Sequence, residues 1–444
     1  MALPTSRYYD MAPIAQAQLI RGFLRWAFRL PGNQAVTTGG QGLGQRAIAA
    51  GVWRPIVLPA NGVMATGGEG IVHLWCRVDP NNLTIQDRVV VKNVVSGSTR
   101  YLDPHNWASD TVGGEPLECR QANVVWSVTT PADRKHIQAC LGWGDVVPPH
   151  YVAQNYRYKI YNEYCAHKNL HKIMKNQPKR KKKGAVRRGR RQFPEPFLWY
   201  MFESLAKACI GMNRAYMYTG VVHQDLHPGN VFFDVPDQTR FPMYPVLKVA
   251  DFGSARRLTL STRLRVGAVR TDPVFLPYAA PENAWNAPPW APNPPPFWEA
   301  PNMAITQRTN IYQVGLIMAS AMRLLNPLPE NNWRDPGRGE RVAPPANQLH
   351  HDGAIAPAVG VHELTQAQLN PGPKRYSNAL VTMVEDCLRH NATQRSTADN
   401  LLQTINANAN FQGMDTATAA NLTAAQRELC VDLDNEQYRI GSLF

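Results

Sequence analysis

The segment His223-Gln-Asp-Leu-His-Pro-Gly-Asn230 sets a carboxylate, Asp225, and a carboxamide, Asn230, five residues apart, between a helical pattern and the apolar pair Val231 and Phe232. A carboxylate so placed can orient an incoming hydroxyl and accept its proton, and an amide oxygen can hold the metal that neutralises phosphate charge. Phosphoryl transfer requires both services. Alone, the cluster is also ordinary turn chemistry, because Asp, Asn, Gly and Pro all favour turns. Twenty-one residues after Asn230 comes Asp251-Phe-Gly253, led in by the strand-like Leu247-Lys-Val-Ala250. An acid at that strand end can chelate magnesium across the β- and γ-phosphates. A third segment, Tyr278-Ala-Ala-Pro-Glu282, follows.

In order and spacing, these three segments resemble the catalytic loop, the DFG segment and the APE segment of the protein kinase superfamily, of the eukaryotic Ser/Thr type. The resemblance extends toward the N-terminus. Ala65-Thr-Gly-Gly-Glu-Gly-Ile-Val72 resembles the glycine-rich loop, with Gly67, Gly68 and Gly70 letting backbone N–H groups approach phosphate oxygens and Val72 counted in the same nucleotide site. Val89-Val-Val-Lys92 resembles the strand that follows that loop. The resemblance then implies that Lys92 holds the α- and β-phosphates, paired with a glutamate of the next helix, Glu118 or, failing that, Glu115. Tyr158–Cys165 resembles the hinge, with Asn162 as gatekeeper and the Glu163 carbonyl and Cys165 N–H meeting the adenine edge. Arg395 is expected to pair with Glu282 in a structural role. The likeness covers roughly residues 58–405.

What the resemblance implies is an α+β, bilobal protein kinase fold with a small, mainly antiparallel β N-lobe and a larger, mainly helical C-lobe. The implied reaction moves the γ-phosphate of ATP, with Mg2+, to a Ser/Thr hydroxyl of a protein substrate. Asp225 would orient the acceptor, Asn230 and Asp251 would hold the metal, and His227 would stand where Ser/Thr kinases carry a lysine that steadies the transferring phosphoryl group. Four positions depart from the family pattern. Ala65 replaces the first loop glycine, Gln224 the arginine that answers an activation-segment phosphate, His227 the lysine, and Asn310 an aspartate that supports the catalytic loop. His227 also fits small-molecule phosphotransferases of the aminoglycoside and choline kinase type. Gln224, Ala65 and Asn310 together fit a catalytically weak ATP-binding scaffold. The retained Lys92, Asp225 and Asp251 and the long APE segment favour a protein kinase.

The elements that must position these residues follow from periodicity. Short β-branched runs at 56–58, 70–78 and 88–95 predict a twisted antiparallel sheet, and helical spacing predicts helices over 196–217, 311–325 and 378–390. The expected organisation is an arm over 1–50 with a basic amphipathic helix, an N-lobe to the hinge over 51–165, a C-lobe over 166–410, and a tail over 411–444. Within the C-lobe, a basic insertion at 175–191 and Pro-rich insertions at 286–302 and 326–372 read as surface loops.

The formal net charge of +14 is mostly local, because residues 175–191 hold ten Lys/Arg and no acid, leaving +4 elsewhere. That tract is open to reading as a nuclear-import signal, a nucleic-acid or acidic-partner patch, or a solvated insertion. Seven scattered cysteines without a CxxC pair imply a reducing compartment. No apolar run reaches the roughly 18–20 residues of a membrane span, so an intracellular protein, cytoplasmic or nuclear, is expected.

Overall fold

The computed structural model describes residues 53–55, 65–67, 70–78, 85–94, 103–146 except 109 and 113, 157–177, 192–258, 280, 282, 305–324, and 376–431 except 390. The expected arm over 1–50, nearly all of the basic tract, and the insertions at 286–302 and 326–372 lie outside the described residues, as does the predicted strand at 56–58. The chain divides into two compact units. One comprises residues 1–123, 138–167 and 434–444; the other comprises 124–137 and 168–433.

The first unit is built on a six-stranded sheet. Its strands are β1 (Trp53–Pro55), β2 (Ala65–Gly67), β3 (Gly70–Val78), β4 (Ile85–Val94), β5 (Cys140–Val146) and β6 (Arg157–Glu163). They run in the order β1-β3-β4-β6-β5, with β2 also on β3, and every pairing is antiparallel. β-Branched residues suit a pleated, half-buried surface, and Val89, Val91 and Ile160 of the central strands are fully buried. The register sets Val72 opposite Lys92 and Lys92 opposite Ile160, so these side chains share one sheet face. Helix α1 (Leu117–Val128) follows, and its first turn carries Glu118.

The second unit is mainly helical. Helix α2 (Leu170–Asn176) precedes α3 (Glu195–Arg214), which is apolar nearly all round and buried along most of its length. A helix hydrophobic on every face belongs at the centre of a core. Helix α4 (Arg308–Arg323) is buried in the same way and packs against α3 and against α5 (Asn378–Cys387). Ser377 caps α5 and Thr397 caps α6 (Ala398–Asn408), each side chain accepting a first-turn N–H. The hairpin of β9 (Val231–Pro236) and β10 (Pro245–Val249) pairs Val231 with Val249, so the residue before one strand meets the residues after the other. β9 also pairs with β7 (His167–Asn169), and β8 (Val221–Val222) pairs with β11 (Arg256–Arg257).

Residues 411–431, expected as a tail, fold back onto this unit. Phe411 meets Phe241 edge-on with ring centroids 4.9 Å apart, Phe241 N–H donates to Asp415 O at 2.9 Å, and Met414 is buried. Helix α7 (Ala424–Arg427) starts on a capping box at Thr423, and Tyr244 Oη donates to Leu429 O at 3.2 Å. A single aromatic anchor, Phe411, in a polar segment leaves no periodic signal, which is why the fold-back was not legible in sequence. Among the described residues, no helix is long and apolar enough to cross a membrane. The seven cysteines are free thiols.

Candidate active site

The loop from Val221 to Asp251 is assembled within the second unit. β8 delivers His223, which is fully buried; burial lowers its pKa below the ordinary histidine value, so the imidazole is held neutral. Its Nε2 lies 3.0 Å from Ala250 O, and a carbonyl can only accept, so the proton sits on Nε2. Ala250 N–H in turn donates to Asn230 O at 3.0 Å. Ala250 is thereby gripped from both sides by the 223–230 loop, and the next residue is Asp251. Phe252 packs on the His223 ring at 4.9 Å.

Asp225 and Asn230 face each other. Asn230 Nδ2 donates to Asp225 O at 2.8 Å and to Asp225 Oδ2 at 3.2 Å. Because the amide oxygen and nitrogen diverge at a trigonal carbon and Nδ2 takes both contacts, Asn230 Oδ1 is turned off the Asp225 contact. Gln224 and Asp251 both lie in the left-handed region, at φ 63° and 60°. Such conformations cost non-glycine residues on the order of 1–3 kcal/mol and persist where surrounding bonds over-determine them, commonly at functional sites.

His227 caps the short turn at Pro228–Asn230, its Nδ1 accepting from Gly229 N–H at 3.0 Å. An accepting Nδ1 requires the tautomer protonated on Nε2, and Nε2 stands 3.7 Å from Asp225 Oδ2. A Cβ on Gly229 would lie 2.4 Å from His227 Cε1, so a side chain at 229 would displace the imidazole from this position. Beneath the loop, Asn310 of α4 accepts from His223 N–H and donates to Val221 O, both at 2.9 Å, and Gln313 Nε2 donates to Gln224 O at 2.9 Å.

In the first unit, Lys92 Nζ meets Glu118 Oε2 at 2.8 Å, with the side chains only 9% and 8% exposed. Glu115 instead pairs with Arg120 at 2.9 Å, and desolvation raises its pKa. Of the two glutamates, Glu118 is the one in contact with Lys92. Gly67 and Gly70 pair across the β2–β3 hairpin; Gly68 lies outside the described residues. A Cβ on Gly70 would stand 2.3 Å from Asn93 O, so only glycine allows that hairpin to approach β4.

The sequence model of the protein kinase domain matches residues 149–405, more than half of the chain. The chain belongs to the protein kinase family. It is also similar to the serine/threonine-protein kinase Nek3 of Mus musculus, at 25% identity over 252 residues; the match takes in 57% of this chain and spans only 36% of that protein's length. The antiparallel sheet and the helical unit accord with an α+β kinase fold.

The matched range begins after β5, so in this chain the glycine hairpin, Lys92 and Glu118 rest on the structure and not on the family match. Of the APE segment, Ala280 and Glu282 are described. Glu282 is fully buried in a bidentate pair with Arg395, at 2.6 and 2.9 Å, as expected from the sequence, and Thr309 Oγ1 adds a bond at 2.7 Å. Those partners hold the Glu282 carboxyl below its ordinary pKa despite desolvation. In the segment expected as the hinge, Glu163 is tied to the β5 side: its N–H donates to Ala139 O at 2.9 Å, its Oε2 accepts from Ala139 N–H at 3.2 Å, and its carbonyl accepts from Gln138 Nε2 at 2.8 Å. The carbonyl expected to meet adenine therefore already accepts from one protein donor. Cys165 is buried, its sulfur 4.0 Å from the same Gln138 amide.

Sequence reasoning missed Gln313, Gln138 and the donor half of Asn310. The one available signal was spacing, since 310 and 313 share a helix face.

Proposed function

We propose that this kinase is an ATP-dependent protein Ser/Thr kinase, with the bilobal arrangement that the family resemblance implies. The observation that carries the reading is the double grip on Ala250, which ties the Asp251 strand end to the loop bearing Asp225 and Asn230. The donor set fits magnesium: a carboxylate at a strained strand end and an amide oxygen turned off the Asp225 contact are hard oxygen ligands of the kind Mg2+ takes one or two at a time. Bound there, the metal would neutralise charge on the phosphates.

Lys92, oriented and desolvated by Glu118, holds the α- and β-phosphates; Gly67, Gly68, Gly70 and Val72 line the nucleotide, and Glu163 and Cys165 meet its base. Asp225 orients the acceptor hydroxyl and takes its proton, with its own carboxylate held by Asn230. His227 offers Nε2–H on the Asp225 side, a weaker steadying group than a lysine ammonium but one fixed in direction by Gly229. The Glu282–Arg395 pair supports the protein-substrate reading, because the APE segment builds the peptide platform in the family. General-base help from Asp225 is worth about 10²- to 10⁴-fold.

The test is transfer from labelled ATP with magnesium to a mixed protein and peptide panel. Wild type should label Ser/Thr, whereas Asp225→Ala and Lys92→Met should fall by at least about 10²-fold. A folded wild type that binds MgATP and labels no protein would refute the protein-kinase reading.

A further inference from the structure

We propose that Gln313 is a positioning residue for phosphoryl transfer, setting the direction of Asp225 by holding the peptide plane that precedes it. The inference rests on the phosphotransferase reading of the 223–230 loop. A peptide group is planar, so the Gln224 carbonyl and the Asp225 N–H lie in one rigid unit from which the Asp225 Cα departs. The oxygen of that unit is gripped by Gln313 Nε2 at 2.9 Å, from a side chain that is fully buried.

Gln224 sits at φ 63°, a conformation a non-glycine residue leaves readily unless it is held. Its own side chain does not hold it: Gln224 is 1% exposed, and among the described residues neither its Oε1 nor its Nε2 has a hydrogen-bond partner. The restraint arrives through the backbone carbonyl instead. Asn310, one turn earlier on α4, secures the Val221 carbonyl and the His223 N–H in the same manner. Two neutral amides on one helix face thus fix the chain from 221 to 224, and the last of these bonds is the one that aims Asp225. Because neither amide carries charge, the hold needs no phosphate on the activation segment.

Transfer kinetics would be measured for wild type, Gln313→Met and Gln313→Glu between pH 6 and 8, alongside urea midpoints. Methionine keeps the length and removes the donor, so kcat should fall at least about tenfold while KM for ATP stays within about twofold, the signature of an interaction realised at the chemical step. Glutamate places an acceptor against an acceptor at pH 8, and it should regain part of its kcat toward pH 6 as a protonated carboxyl becomes a donor. That acid-side recovery relative to wild type is not produced by a merely structural role. Gln313→Met with wild-type kcat, or with kcat and KM moving together in step with lost folded protein, overturns the proposal. If Gln313→Glu does not fold, Gln313→Met decides alone. Absence of transfer by wild type refutes the phosphotransferase reading and this inference with it.

Discussion

Restoring the family's usual residue at position 310 should destabilise this protein. Asn310 is fully buried and uses both ends of its amide, accepting from His223 N–H and donating to Val221 O, each at 2.9 Å. An ionised aspartate strengthens the first bond by about 1 kcal/mol, but it leaves a buried carbonyl unsatisfied, a loss of about 1–3 kcal/mol, and sets two oxygens in contact without a cation. The neutral acid avoids this by donating its proton to Val221 O. Holding that proton at pH 7 against an ordinary aspartate pKa near 3.9 costs at most about 4 kcal/mol, at 1.36 kcal/mol per unit. Asn310→Asp should therefore be about 2–4 kcal/mol less stable than wild type at pH 7. The sign of the pH dependence follows, because a carboxyl whose folded pKa is raised is favoured below the unfolded pKa and loses that advantage as pH rises. The gap to wild type should shrink by up to about 1.4 kcal/mol per unit on acidification. Urea unfolding at pH 5, 6 and 7 with unchanged m-values reads this directly. A variant as stable as wild type at pH 7, or a gap that widens on acidification, would refute the two-ended role of the amide.

Arg395→Met leaves the Glu282 carboxylate buried without its bidentate partner, and unfolding titrations should report a loss of about 3–5 kcal/mol. The Glu282→Gln/Arg395→Met double variant should lose less than the two single changes predict in sum. His136 is fully buried with its Nδ1 on Leu247 O at 3.1 Å, and burial lowers its pKa from 6.5 to about 3. The unfolded chain therefore takes up a proton near pH 6.5 that the folded one refuses, and stability falls as pH drops through that range, by about 2 kcal/mol at pH 5. His136→Gln should remove that share of the slope, and an unchanged slope would contradict it.

The sequence by itself determined the family and the local frame of the candidate site. Asp225, Asn230 and their turn lie within eight residues, the strand leading into Asp251 is legible as Leu247–Ala250, and α3, α4 and α5 announce themselves by apolar periodicity, with ends displaced by only a few residues. Local period and local turn chemistry need no knowledge of distant partners.

Only the tertiary structure decided which polar group meets which. Glu118 and not Glu115 reaches Lys92 because one lies in the first turn of α1 and the other precedes the helix and bonds Arg120. Asn310 and Gln313 reach the loop across 89 residues of sequence in their contacts with Val221 and Gln224, and the fold-back of 411–431 depends on Phe411 finding Phe241. A residue's type states what it can donate or accept. Which partner it finds is set by the apposition of elements far apart in the chain, and buried amides gain their roles only once water has been excluded from around them.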